Sequence, residues 1–145
     1  TLGSKETPAM LWREVTLFSE ATRLLIPAME AADVRRLIVV TGFGAGDSRQ
    51  AMSWAERTGH GLVLGKPYAD KDRQEELVRD SGLDWTIARP AILTKGGYTG
   101  HIGVHADPAK WRNGLIARAD VAGYLIDAAE SGRDLHQAVV LRREG

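Results

Sequence analysis

The sequence predicts an open, doubly wound α/β sheet of parallel strands, and three observations carry the prediction. Tyr68 to Thr94 reads as an amphipathic helix, a tight turn, a short buried strand and then Arg89-Pro90 leading into an apolar loop. Leu37 to Val40 is a continuous apolar run, the pattern of a strand buried on both faces. The elements follow the order helix, strand, helix, helix, strand, loop, helix, strand, which fits an open α/β sheet better than a bundle or a sandwich. In such sheets ligands bind at the carboxyl ends of the strands.

Each element has its own signal. From Arg13 to about Ala32, Val15, Leu17, Phe18, Ala21, Leu24, Leu25, Ala28 and Met29 trace a helical stripe, with Pro27 expected to kink or divide it. After the strand at Leu37, Gly42 to Gly46 is a turn, and Asp47-Ser48 is placed to cap a helix around Gln50 to Arg57. Thr58 to Pro67 is Gly-rich and reads as loop or short strand. In the following helix Leu77 and Val78 recur among Glu75, Glu76 and Arg79, and Ser81-Gly82 ends it, Gly taking the left-handed C-terminal conformation at least cost. Trp85 to Ala88 is a strand rich in β formers, closed by Arg89-Pro90. A loop-rich region then runs to Asn113, with a short strand at Ile102 to Val104. Ala119 to Ala129 is a helix with Asp120 favouring its positive end, and Ala138 to Leu141 is a last strand at an edge.

Composition narrows the class. The 145 residues make one domain at most, spanning 1–145, with 19 basic and 19 acidic residues evenly mixed and a net charge of zero. No electrostatic footprint for nucleic acid or membrane emerges. The absence of cysteine removes disulfides, thiol catalysis and sulfur-ligated metals together. No apolar run approaches the roughly 18 residues of a membrane span, and no signal peptide is visible, so a soluble cytoplasmic domain is expected.

Four motifs stand in a familiar order. They are Val34-Arg35-Arg36-Leu37-Ile38-Val39-Val40-Thr41-Gly42, Asp70-Lys71-Asp72-Arg73-Gln74-Glu75-Glu76-Leu77, Ser81-Gly82-Leu83-Asp84-Trp85-Thr86-Ile87-Ala88-Arg89-Pro90 and Ile116-Ala117-Arg118-Ala119-Asp120-Val121-Ala122. Together they resemble the C-terminal half of the atypical short-chain dehydrogenase/reductases, nearest the NmrA-like and flavin-reductase-like (biliverdin reductase B-like) NAD(P)H-binding proteins. The resemblance runs from about Leu2 to Leu141. It implies a Rossmann-like doubly wound parallel sheet with NADP or NAD, NADP being the first choice, across the carboxyl ends of the strands. It also implies hydride transfer to a small planar acceptor such as a flavin, quinone or carbonyl.

The family opens with a strand and a glycine-rich turn, then two more strand-helix units, and this chain lacks them. Thr1-Leu2-Gly3-Ser4 resembles the end of the fourth strand, which places Leu2 and Gly3 against the cofactor. The chain therefore reads as the second half of a longer reductase or as a short natural chain. Its partners are a small-molecule substrate and either a second copy or the missing N-terminal half.

Candidate site residues follow. Gly42-Phe43-Gly44-Ala45-Gly46 lies between a strand and a helix, as a dinucleotide turn does, but its spacing is G-x-G-x-G and no acid-ending strand follows about 20 residues on. The resemblance instead packs Thr41 and the backbone of Gly42 and Phe43 on the ribose and nicotinamide; a plain strand exit is the third reading. Lys71 matches the family's active-site lysine, holding ribose hydroxyls. Four residues before it stands Pro67 rather than the family's Tyr, while Tyr68, three before, shares the helix face. A solvated helix lysine is the alternative. After Pro90, the resemblance turns backbone groups and the side chains of Ala91, Ile92 and Leu93 toward the nicotinamide; strand termination is the alternative.

His101 and His105 are four apart, a spacing that suits two metal ligands only on a helix, which Gly100 and Gly103 oppose, so no metal is expected. With no tyrosine at the family's position, any proton comes from solvent or a loop histidine. Arg118 and Asp120 are explained by a helix cap with an ion pair, and Trp85 by core packing. No nucleophile elbow, carboxylate pair or His-Glu-x-x-His supports a hydrolase or metalloenzyme. Two further readings remain: a non-catalytic NmrA-like dinucleotide-sensing or interaction protein, and a fragment inactive on its own.

Overall fold

The computed structural model describes residues 16–145, the side chains of 57 and 59–66 excepted. Helix α1 (Leu17–Ala31) contains Pro27 and is not divided by it. Its buried positions are polar, Ser19 and Thr22, and its first turn is capped from another helix: Asp70 accepts from the Phe18 N–H at 2.8 Å and from the Ser19 hydroxyl. A carboxylate suits the unpaired N–H groups and positive end of a helix.

Strand β1 (Arg36–Val40) buries Leu37 and Val39 on one face, while on the other Ile38 is half-buried against the second core and Val40, at the strand's end, is exposed, so the expected burial on both faces is full on one only. It lies at the edge of the sheet among the described residues. A 3-10 turn (Gly46–Ala51) precedes the helix expected around Gln50 to Arg57, which begins at Trp54 instead. Helix α2 (Trp54–Asp80) then runs unbroken through the Gly-rich stretch expected to be loop or strand, with Pro67 inside it. Ser53 and Glu56 start it with a reciprocal capping box, the Ser53 N–H donating to Glu56 Oε2 at 2.7 Å. Local Gly and Pro preferences are a weak prior that context overrides. Ser81, not a left-handed glycine, ends α2 in an extended conformation (φ −73°). Left-handed residues follow helices elsewhere among the described residues: Asp33, at φ +55°, just past α1, and Gly132, at φ +68°.

Strand β2 (Asp84–Pro90) pairs parallel with β1, Leu37 opposite Trp85 and Val39 opposite Ile87. Two three-residue strands, β3 (Ile92–Thr94) and β5 (Leu115–Ala117), form a separate parallel pair too short to show a period in the sequence. Strand β4 (Ile102–His105) lies where it was expected, antiparallel to β6 (Gln137–Arg143). The main sheet runs β1-β2-β6-β4, so β6 is interior rather than an edge, and Ala138 to Leu141 are buried. Helix α3 (Arg118–Ser131) separates β5 from β6.

The strand alternation feeds two cores. Leu37, Val39, Trp85, Ile87 and Ala138 pack with Val78 of α2 and with Ile26 and Met29 of α1. Ala88, Val139 and Leu141 pack with Val121, Tyr124 and Ala128 of α3. Helices thus cover both faces of a parallel-dominated sheet, the predicted fold class. Among the described residues no helix is long and apolar enough to cross a membrane.

Candidate functional site

The exits of β1 and β2 lie side by side. The Thr41 N–H donates to the Ala88 carbonyl at 2.9 Å, the Phe43 N–H to Pro90 at 2.9 Å, and the Ala91 N–H to Leu141 at 2.8 Å. Onto this platform α2 lays Tyr68, Lys71 and Glu75, spaced three and four apart and so on one helix face. Lys71 Nζ donates to the Thr41 carbonyl at 2.7 Å. The same ammonium lies 4.8 Å from the Tyr68 ring centre and 5.5 Å from that of Phe18. A Cβ on Gly42 would stand 2.6 Å from the Tyr68 hydroxyl oxygen, so only glycine lets the phenol sit on the strand exit.

Glu75, buried, is the hub of the site. Its Oε1 accepts from the Thr41 hydroxyl at 2.7 Å and from Arg89 Nε at 3.0 Å, and its Oε2 accepts from Arg89 Nη2 at 2.5 Å. Arg89 is 0% exposed and pairs also with Asp47 at 2.6 Å, while the Trp111 ring centre lies 5.1 Å from its guanidinium carbon. Burial works against the Arg89 charge, but Glu75 and then Asp47 outweigh it and raise its pKa.

The Gly42–Gly46 loop makes no phosphate cradle. Four of its five N–H groups are spoken for: Phe43 by Pro90, Gly44 by the Ser48 hydroxyl, Ala45 by Gly42 and Gly46 by Asp72. A cleft of about 460 Å³ beside it is lined by Asp47, Asp72, Glu75 and Glu76 against Arg79, the wrong sign for a diphosphate. The loop's glycines serve packing, at Gly42 for Tyr68 and at Gly46 for the Glu75–Arg89 pair.

Of the residues singled out from sequence, Thr41, Gly42, Phe43, Tyr68, Lys71 and Pro90 come together here. Phe43 is a core residue, clustered with Met52, Trp111 and Val140. Ala91 is buried, and its N–H and that of Ile92 are taken by the Leu141 and Gly114 carbonyls, so these two amides are turned inward. Ile92 and Leu93 leave on β3 with exposed side chains, 57% and 40%, and Leu115, register partner of Ile92, is 56% exposed. Leu2, Gly3 and Trp12 lie outside the described residues. His101 is exposed, while His105 on β4 has Nε2 3.0 Å from Glu144 and 3.2 Å from Arg142 Nε. Among the described residues no acid and histidine cluster fits a metal. Trp85 is in the core as expected, Trp111 covers Arg89 and Trp54 is exposed.

Asp120 is not the cap of α3. Ala117 holds that position, and Asp120 instead accepts from the Thr99 N–H at 2.7 Å, the Thr99 hydroxyl at 2.9 Å and the Gly100 N–H at 3.1 Å. The Thr99 N–H above all, then its hydroxyl and the Gly100 N–H, hold this carboxyl below the usual aspartate range against the opposing effect of desolvation. A lowered folded pKa contributes stability that is present above the ordinary value of about 3.9 and lost as pH falls through the folded value. Asp120→Asn should therefore melt below the native protein at pH 7, and the gap should close below about pH 4. Melting curves across pH check this, and a gap that persists in acid would contradict it.

Sequence reading missed Glu75, Arg89, Asp47 and Asp70. For Glu75 there was a signal: it stands four residues after Lys71, on the same face as the site and beside the apolar Leu77 and Val78.

A sequence profile for a family described as NAD(P)H-binding matches residues 1–131. No curated protein matches the chain. Among solved structures, ChuY from Escherichia coli CFT073 is 30% identical, with 86% of this chain and 61% of that one covered and a TM-score of 0.75. ChuY from Escherichia coli O157:H7, described as an anaerobilin reductase, is 27% identical, with coverages of 91% and 61% and a TM-score of 0.75. A short-chain dehydrogenase/reductase from Veillonella parvula, solved in complex with NADP, is 16% identical, with coverages of 88% and 59% and a TM-score of 0.72; it shares the fold. That fold is Rossmann-like. The chain spans 61% of the length of the two ChuY proteins it matches.

Proposed function

The chain belongs to the NAD(P)H-binding family, and from that premise we propose that it serves as an NAD(P)H-dependent reductase, passing hydride to a small planar acceptor such as a flavin, a quinone or a carbonyl compound. The observation that carries this reading is Lys71, seated on the Thr41 carbonyl beside Tyr68 at the carboxyl ends of the parallel strands. The described residues fit the ribose and nicotinamide half of the cofactor: an ammonium, a phenol and, just past Pro90, an exposed apolar ledge of the register partners Ile92 and Leu115. The cofactor supplies the hydride when bound. Lys71 and Tyr68 hold ribose hydroxyls, and the ledge takes the flat faces of ring and acceptor and excludes water. Likeness to a ChuY protein described as an anaerobilin reductase supports the reductase reading. The reading places the protein in the cytoplasm, with a small molecule rather than nucleic acid or membrane as its partner, and with NADP ahead of NAD.

Titration of the 145-residue chain with NADPH and with NADH tests it. Saturable binding is expected, and Lys71→Ala should weaken it about ten-fold, the loss of one charge-assisted hydrogen bond. Undiminished binding by the Lys71 variant would remove that residue from the site. Pro67 at the position of the family's tyrosine favours a second reading, an NmrA-like dinucleotide-sensing protein without catalysis. Steady NADPH oxidation with a panel of quinones and flavins counts against the sensor; binding without oxidation counts for it.

A further inference from the structure

We propose that Glu75 is a positioning residue for Lys71 and acts through Thr41; its meaning for cofactor binding rests on the function proposed above. Thr41 is 4% exposed and is held at three points. Its N–H donates to Ala88 at 2.9 Å, its hydroxyl to Glu75 Oε1 at 2.7 Å, and its carbonyl accepts from Lys71 Nζ at 2.7 Å. A single peptide unit turned about the strand exit would swing that carbonyl away from the ammonium. The hydroxyl bond resists the turn only while Glu75 stays put, and Glu75 stays put because Arg89 grips both of its oxygens. Arg89 in turn is clamped by Asp47 and covered by Trp111.

The geometry carries more than fold stability. Glu75 could neutralise Arg89 without touching Thr41, since its two oxygens already accept the guanidinium's Nε and Nη2. The additional bond from the Thr41 hydroxyl spends a lone pair of a buried carboxylate on the residue whose carbonyl seats the lysine. Lys71 and Glu75 are one helical turn apart, so both ends of this bracket ride on α2 while Thr41 belongs to β1's exit. The bracket fixes the ammonium relative to the sheet rather than merely relative to its own helix.

The test reads Lys71 directly and needs no cofactor. The full chain is acetylated at its amines, and the rate at Lys71 is compared by mass spectrometry with that at the exposed Lys95. Thr41→Val removes the hydroxyl bond and leaves the Arg89–Glu75 pair in place. It should raise the relative rate at Lys71 about five-fold, the factor that one net hydrogen bond corresponds to. Thr41→Ser, which keeps the hydroxyl, should hold the native rate. Glu75→Leu, which offers the Thr41 hydroxyl no acceptor, should match Thr41→Val where it folds, but the valine and serine variants decide the matter alone. A native rate in Thr41→Val overturns the proposal and leaves Glu75 as a partner of Arg89 only. NADPH titration of the same variants separates the two readings. A raised Lys71 rate in a protein whose native form binds no NADPH keeps the positioning role and removes the cofactor.

Discussion

Arg89→Met should destabilise the chain by about 3–5 kcal/mol, because it leaves the buried Glu75 carboxylate with only the half-exposed Arg79 guanidinium, 4.0 Å away, as cation. Glu75→Leu should cost a similar amount by stranding Arg89, whose side chain is 0% exposed and retains only the Asp47 partner. Removing both charges at once is the informative case. Burying an ion pair carries a desolvation cost that its attraction barely offsets, so the Arg89→Met/Glu75→Leu double variant should recover most of the loss. Urea unfolding of the four proteins closes the cycle. The recovered double variant should nonetheless fail at the site, since Thr41 would have lost its acceptor. Single losses below about 1 kcal/mol, the range of exposed pairs, would contradict the burial of this pair.

That separation between stability and site bears on what the sequence could reveal. The parallel α/β architecture was legible because it depends on apolar periodicity: Leu37 to Val40 and Trp85 to Ala88 are strands whatever their neighbours are, and their alternation assigns each side chain to one of two cores. Boundaries set by tertiary context were not legible. The Gly-rich stretch before Pro67 is helical in α2 despite its local preferences, and β6 is interior because β4 returns antiparallel along it. At the site, Lys71 and Thr41 were visible through motif resemblance. The Glu75–Arg89–Asp47 network was hidden, because charge pairing between a helix, a strand and a loop leaves no period in the chain. Arg89 illustrates the gap: the sequence shows it as the residue before Pro90, and the fold makes it the most deeply buried cation of the site.

Gly46→Ala should lose about 2–4 kcal/mol, combining the cost of a left-handed backbone with overpacking. Gly46 sits at φ +53°, and a Cβ there would stand 2.6 Å from Arg89 Nη2 and press on Glu75 as well. Neither neighbour can move without breaking the buried pair, so no second substitution short of removing that pair should relieve the clash. Gly42→Ala meets a different obstacle. Its φ of +157° is also one that side-chain-bearing residues rarely adopt, but the atom in the way is the hydroxyl of Tyr68, at the far end of a side chain. Tyr68→Phe deletes that oxygen and should restore part of the loss in Gly42→Ala while leaving Gly46→Ala unimproved. Thermal melts of both glycine variants, with and without Tyr68→Phe, give the comparison. Equal rescue of both glycine variants would mean that the two glycines answer to one relaxed loop. Rescue of Gly42→Ala alone would show that one shapes the seat of the phenol and the other the seat of the buried charges, the two halves of the site that Thr41 joins.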